Sequence, residues 1–342
     1  MVKELNSSSA NPQSNGWSFQ YAAALIIYLE NMNCATCFCV EGTEDIIVNL
    51  KNGKIAAQAK CGLEKDSIIA PHLEEIVDSI RTLSQNSDAD ELISISNFYA
   101  PLGRDDAFSS TQFLDKKRFK DLTTNSQTKI RERSKNKGYV IDFTKFKLWF
   151  VRFEGEEPDL SIEEYLAKKL RACTFDSVFP ISDLMNQWLR IIQLNGRDTK
   201  RMIEAEVMCG TLFGKILSNT NIERITKIIG EEIDPCYEED FRKFFLKYFN
   251  QNSQNFRTYC KISADFNDFC NSTKPQASEK YKNFVEYYCN SSNIPDDIKS
   301  FFDNYDSRNE LSLRLYKLFV AYVCYRRDCI RSIRSAFGYE NN

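Results

Sequence analysis

Histidine is nearly absent from this chain of 342 residues, which contains only His72. Metal sites built from several histidines are therefore excluded, and a serine or cysteine hydrolase would depend wholly on that one residue. The longest apolar run, residues 21–29, is far shorter than the roughly 20 residues that cross a membrane. The sequence has no internal repeat, glycine-rich phosphate loop or heptad series, so nothing indicates an ATPase.

Neither sign of charge dominates, since 45 Lys and Arg against 48 Asp and Glu leave a net charge of −3. This balance argues against a protein that coats DNA non-specifically, although a local cationic surface is enough to bind a negatively charged partner. The first residues lack a basic segment leading into an apolar core. We therefore expect no signal peptide and a cytoplasmic location.

Cysteine is plentiful, with 12 residues, but only Cys34 and Cys37 form a CxxC pair. In the absence of a secretion signal we expect mostly buried thiols rather than disulfides or zinc ligands. A thiol-dependent enzyme that uses Cys34 or Cys61 would have no paired base in the sequence, which leaves that alternative weakly supported.

Two strand-like runs flank the dipeptide Asn52-Gly53. Asn-Gly is the pair that best tolerates positive φ at both centres of a type I′ turn, so the pattern predicts a β-hairpin. A two-residue loop pairs Lys51 with Lys54 and thereby fixes the register of the two strands.

In that register Lys60 lies opposite Asp45, and the alternation of a β-strand places Gln58 on the same face. A carboxylate and an amide oxygen are ligands suited to Mg²⁺, and a neighbouring lysine suits phosphodiester hydrolysis. The alternative is an ordinary Asp–Lys cross-strand pair on a solvated face of the sheet.

Residues 17–30 have the apolar pattern of a largely buried helix. Gln20 lies on the same face as Ala23, Ala24 and Ile27, where a polar side chain needs a partner. The alternative is a first-turn glutamine that is exposed to solvent.

Three segments occur in order along the first 60 residues: Gly16-Trp17-Ser18-Phe19-Gln20, Glu41-Gly42-Thr43-Glu44-Asp45-Ile46 and Gln58-Ala59-Lys60. Together they resemble the double-stranded-DNA endonuclease domain of bacterial antiphage effectors. That domain is found in the nuclease effectors associated with CD-NTases and in the nuclease subunit of Lamassu systems, and it is a branch of the PD-(D/E)xK restriction-endonuclease fold. The order of helix, acidic strand and QxK strand is also similar to the Mrr-like restriction nucleases.

The resemblance implies a role for each matching residue. Asp45 would be the metal-binding aspartate, Gln58 would replace the second acidic ligand, and Lys60 would be the catalytic lysine. Glu41, as a further metal ligand, and Gln20 would be accessory polar residues. The implied cofactor is Mg²⁺, or Mn²⁺ in its place, and the implied substrate is double-stranded DNA.

The sequence departs from the strict motif at two positions. Glu44 stands where the pattern has proline, and Gln58 stands where it has an acidic residue. A neutral ligand binds a metal more weakly, which keeps open a noncatalytic adaptor with a degenerate nuclease fold. The retention of Asp45 and Lys60 counts against the adaptor.

The expected fold class is α/β, with a restriction-endonuclease-like core followed by an all-α domain. Residues 1–15 are expected to form a flexible tail and residues 16–155 the nuclease domain. Residues 156–342 are expected to form a helical assembly or regulatory domain, because their pattern is helical from residue 161 onward.

Two basic segments are candidates for binding DNA or an acidic partner. One is the charged region 101–137, and the other is the helix that carries Arg327, Arg331 and Arg334. Solvated helix faces explain both equally well. The resemblance to defence effectors implies an SMC-like ATPase and accessory subunits as partners, and an active homo-oligomer.

Overall fold

The computed structural model describes residues 12–41, 45–62, 71–109, 111–153, 158–174, 179–196, 201–219, 221–230, 256–290 and 310–339. The chain forms two compact units. The first comprises Met1–Lys169 and Met185–Glu204, and the second comprises Leu170–Leu184 and Ala205–Asn342. The predicted boundaries after residues 15 and 155 stay predictions. No helix within the described ranges is long and apolar enough to cross a membrane.

The first unit contains a seven-stranded mixed sheet, so the predicted α/β class is confirmed. The strands, in chain order, are β1 Ala35–Glu41, β2 Asp45–Leu50, β3 Gly53–Lys60, β4 Glu91–Ser96, β5 Leu114–Arg118, β6 Phe146–Val151 and β7 Ile203–Glu204. Their spatial order is β5-β6-β4-β3-β2-β1-β7. The pairs β3–β4 and β4–β6 are parallel, and the remaining pairs are antiparallel.

Eleven α-helices lie within the described ranges. They are α1 Pro12–Glu30, α2 Leu73–Leu83, α3 Thr124–Asn136, α4 Pro158–Thr174, α5 Ile181–Gly196, α6 Ala205–Ser218, α7 Ile222–Ile229, α8 Phe256–Thr273, α9 Lys280–Asn290, α10 Glu310–Tyr325 and α11 Arg327–Ala336. Helix α1 begins five residues before its predicted start. Proline is well suited to the first helical position, because its missing N–H has no partner there.

Helices cover both faces of the sheet. On one face, Tyr28 of α1 stacks on Phe38 of β1 with ring centroids 4.6 Å apart. On the other face, Ile76 and Ile80 of α2 belong to one core cluster with Ile47 and other apolar strand residues. Burial on both faces explains why the central strands have nearly continuous apolar sequences.

The hairpin between β2 and β3 forms, but its predicted register is wrong. Leu50 pairs with Gly53, so the loop consists of Lys51 and Asn52, and Asp45 lies opposite Gln58 rather than Lys60. Gly53 has φ +141° and is the first residue of β3 rather than a turn centre. The shift moves each partner by two residues, so the predicted faces are unchanged.

Three strands lie in segments where the sequence predicts none. The CxxC segment forms β1, and the cationic region 101–137 contains β5 at one edge of the sheet. Strand β7 lies in a segment predicted to be helical and pairs with β1 at the other edge. A strand that is two to seven residues long depends on its neighbours, which local sequence does not reveal.

The described part of the second unit is helical. The sequence of α9 is rich in aromatic residues, a pattern that predicts core packing. Phe284 and Tyr288 are buried, whereas Tyr287 is 53% exposed. The other aromatic segment, residues 242–249, lies outside the described residues. The helical pattern of residues 311–337 predicts one helix, but a break at Arg326 separates α10 from α11.

Candidate functional site

One row of residues crosses four neighbouring strands near an end of the sheet. Glu41 of β1 pairs with Asp45 of β2, Asp45 pairs with Gln58 of β3, and Gln58 pairs with Ser94 of β4. Directly paired residues share a face, and neighbouring strands lie about 4.8 Å apart. The backbone therefore brings three of the predicted site residues into one contiguous row.

Lys60 lies in the next row of the same face, beside Ser96 of β4. Strands β3, β4 and β6 are parallel, and both rows lie toward their carboxyl ends. In open α/β sheets, ligands bind at the carboxyl ends of the strands. The side chain of Lys60 is half-buried, whereas the side chains of Glu41 and Asp45 lie outside the described residues.

Gln58 is only 2% exposed. Its Nε2 donates a long hydrogen bond of 3.4 Å to the carbonyl of Ala59, but its Oε1 has no hydrogen-bond partner among the described residues. A buried amide oxygen without a donor is costly, so it is well placed to receive a ligand that provides positive charge.

The residue types in the row fit Mg²⁺, which prefers oxygen ligands from carboxylates and amides. The unpartnered Oε1 of Gln58 is the observation that supports this fit. Among the side chains that the structure describes, no group of three or more His, Cys, Asp or Glu could hold a metal ion. A site here would thus need Gln58 together with Asp45 and Glu41.

Gln20 is buried, so the alternative of a solvent-exposed first-turn glutamine is wrong. It lies in α1, on the face of the sheet opposite to Gln58. Phe19, its neighbour in α1, contacts Phe153 just beyond β6 with ring centroids 5.2 Å apart. Gln20 is therefore at the same end of the sheet as Lys60, and its accessory role stays a prediction.

Asn97 holds the end of the QxK strand, and the sequence gives no sign of this role. Its Oδ1 accepts a hydrogen bond of 2.7 Å from the amide of Gly62, and its Nδ2 donates one of 2.8 Å to the carbonyl of Gly62. Nδ2 also donates to the carbonyl of Phe153 at 3.3 Å. One buried amide thus fixes the backbone two residues after Lys60.

Cys61, next to Lys60, does not have the character of a nucleophile. Burial raises the pKa of its thiol to about 11. The thiol is therefore protonated at neutral pH, whereas nucleophilic cysteines act as thiolates. This result counts against the thiol-enzyme alternative.

The basic residues of α11 do not form one solvated stripe. Arg327 donates a hydrogen bond of 2.8 Å to the hydroxyl of Tyr281, and Arg334 donates to the carbonyl of Tyr339 at 3.4 Å. Arg331 is exposed and pairs with Asp328 at 3.5 Å. Arg327 and Arg334 thus make contacts within the second unit, and Arg331 is the most accessible of the three.

No protein-family profile and no curated protein matches the chain. A solved structure that is similar to it is the Cap4 SAVED/CARF-domain containing receptor of Moraxella osloensis, at 14% identity and a TM-score of 0.34 over 58% of this chain and 48% of that chain. The Cap4 SAVED/CARF-domain containing receptor of Acinetobacter baumannii is 15% identical, with a TM-score of 0.36 over 58% of this chain and 47% of that chain. The structure of that receptor with the cyclic trinucleotide 2'3'3'-cAAA is 14% identical, with a TM-score of 0.35 over 61% of this chain and 47% of that chain.

The chain therefore spans a little under half the length of these receptors. TM-scores of 0.34 to 0.36 are too low to establish a shared fold.

Proposed function

We propose that the chain is a metal-dependent DNA endonuclease, acting as the effector of a bacterial antiphage defence system. The observation that carries the proposal is the row of Glu41, Asp45 and Gln58 in neighbouring strands, with Lys60 one position further along the same face. The three sequence segments that resemble antiphage endonucleases support the same reading.

In this proposal Asp45, Gln58 and Glu41 hold Mg²⁺, or Mn²⁺ in its place. When bound, the metal would lower the pKa of a water ligand and neutralise negative charge on the phosphoryl oxygens. Lys60 contributes its ammonium group, which donates a hydrogen bond to the phosphate and stabilises the charge that develops there. Asn97 holds the backbone beyond Lys60 and limits how far that ammonium group can move.

The active form is proposed to be a homo-oligomer, because one site cuts one strand and a double-strand break needs two. The helical half of the chain would mediate assembly or regulation, together with an SMC-like ATPase and accessory defence subunits. The cytoplasm is the expected compartment. Isolated protein should then be latent or weakly active.

The alternative is a catalytically degenerate adaptor, and one observation favours it. Gln58 is neutral and almost fully buried, so a metal would have to bind at a site that solvent hardly reaches. An adaptor would bind its partner subunits without cleaving DNA.

Metal-dependent cleavage of plasmid DNA separates the two functions. Supercoiled plasmid is incubated with the full chain, alone and with its partner subunits, in Mg²⁺, Mn²⁺ or EDTA. We expect nicked or linear product with either metal and none with EDTA. Intact plasmid in every metal condition, although the partners bind, would establish the adaptor.

A further inference from the structure

A second polar site lies on the opposite face of the sheet. It is a cavity of about 420 Å³, called here the cationic cavity, lined by Asn31, Glu91, Lys116, Lys117, Arg118, Asp121, Lys147 and Trp149. Glu91 begins β4, five residues before Ser96. At about 3.3 Å per residue, Glu91 lies roughly 17 Å along the strand from the row of Lys60. Trp149 pairs with Ile95 and so lies one residue from that row, but on the other face of the sheet.

The register of β5 and β6 concentrates positive charge at this cavity. Arg118 lies directly opposite Lys147, and Lys116 lies directly opposite Trp149. Like charges opposite one another in an antiparallel pair are unfavourable. Arg118 is paired with Asp121 at 2.9 Å, and Lys147 with Glu91 at 2.6 Å, so each cation has one carboxylate and its remaining donors can bind a further anion.

Trp149 provides an independent indication of a ligand. It is 3% exposed, and its indole N–H has no acceptor within the ranges that the structure describes. The ammonium of Lys116 lies 4.0 Å from the centre of the indole ring. Trp149 is also the one apolar residue of the lining, so a molecule held here must be polar and must accept hydrogen bonds.

We propose that the cationic cavity binds a small phosphate-bearing ligand. Arg and Lys are the side chains that bind phosphate oxygens, and Arg does so with a fork of N–H groups. The volume is within the range of small-molecule sites, about 300–1,000 Å³, and exceeds that of a single phosphate. This site uses none of the residues of the proposed nuclease, so it stands whether or not the chain cleaves DNA.

Isothermal titration calorimetry on the full chain at low salt tests the proposal with pyrophosphate and with AMP. Wild type should bind at least one of them with one site per chain. Arg118→Gln and Lys147→Gln should each weaken binding by about tenfold or more, since each removes a charge-assisted contact. Lys54→Gln is the matched control, because Lys54 also pairs with an aspartate, Asp88, at 2.9 Å but lies outside the cavity.

Glu91→Gln distinguishes a binding role from a structural one. This substitution removes the carboxylate that competes with the ligand for Lys147. If Lys147 binds the ligand, the affinity for the ligand should rise. If the Lys147–Glu91 ion pair only supports the structure, the affinity should fall as it does in Lys147→Gln. Thermal melting of each variant checks folding. The proposal is overturned if wild type binds neither probe at millimolar concentration, or if Lys54→Gln weakens binding as much. It is also overturned if the cavity variants lose affinity only for a 12-base-pair duplex, which would assign the surface to DNA.

Discussion

Glu30, the last residue of α1, should stabilise the first unit strongly and in a pH-dependent way. Its carboxylate accepts hydrogen bonds from Lys116 of β5 and from Tyr165 and Lys169 of α4. Burial alone would raise the pKa of Glu30, but these hydrogen bonds outweigh it and lower the pKa from 4.5 to about 2. One carboxylate thus joins two helices and an edge strand.

The size of the effect follows from that difference in pKa. A shift from 4.5 to about 2 corresponds to at most about 3 kcal/mol at neutral pH. Partial solvent screening reduces this to about 1–2 kcal/mol. Because the pKa is lowered in the folded state, the stabilisation is present above pH 4.5 and is lost as the pH falls toward 2.

Thermal melting of wild type and Glu30→Gln at several pH values tests this reasoning. We expect the variant to melt roughly 2–6 °C lower at pH 7, and the difference to shrink to about half or less at pH 3. Glu74→Gln is the matched control, since Glu74 also binds two cations, Arg133 and Lys137, each at 2.7 Å, but on the exposed surface. Its shift should be smaller. A difference between wild type and Glu30→Gln that is the same at pH 7 and pH 3 would refute the assignment.

Substitutions at three further positions probe the first unit and the site. Gly53→Ala should destabilise the chain by about 1–3 kcal/mol, because its φ is +141° and its new Cβ would lie 2.6 Å from Oδ2 of Asp90; unchanged urea denaturation would contradict this. Asp106→Ala should cost about 1–3 kcal/mol, because buried Asp106 accepts hydrogen bonds from the amide and hydroxyl of Thr123, both at 2.8 Å; an unchanged urea midpoint would count against it. Gln58→Glu should retain or increase metal-dependent cleavage and Gln58→Leu should abolish it, so equal activity of the two in a plasmid assay would exclude Gln58 as a ligand.

The faces of the hairpin could be predicted from the sequence, whereas its register could not. Strand alternation depends only on the parity of the residue number, so Asp45, Gln58 and Lys60 keep one face even though the partners shift by two. The register depends on which two residues form the turn. Asn52 and Gly53 have the composition of a type I′ turn, but only Gly53 has positive φ.

The surroundings of the site depend on contacts between residues far apart in the chain. Gln58 is buried in β3, which lies between β2 and β4 in the sheet. The hydrogen bonds between Asn97 and Gly62 join residues 35 positions apart. The cationic cavity depends on β5, a strand of five residues, LDKKR, whose sequence resembles an exposed charged loop. No local pattern carries this information, because it is created by the order of strands in the sheet.

Cleavage of supercoiled plasmid in Mg²⁺ tests the proposed nuclease most directly, with wild type, Asp45→Ala, Lys60→Ala and Lys54→Ala each assembled with the partner subunits. Lys54 is the matched control because it lies on the same strand and the same face as Lys60, at the other end. We expect wild type and Lys54→Ala to cleave at similar rates. Asp45→Ala and Lys60→Ala should be inactive with nearly unchanged melting temperatures. Full cleavage by Asp45→Ala or Lys60→Ala would contradict the assignment of the site.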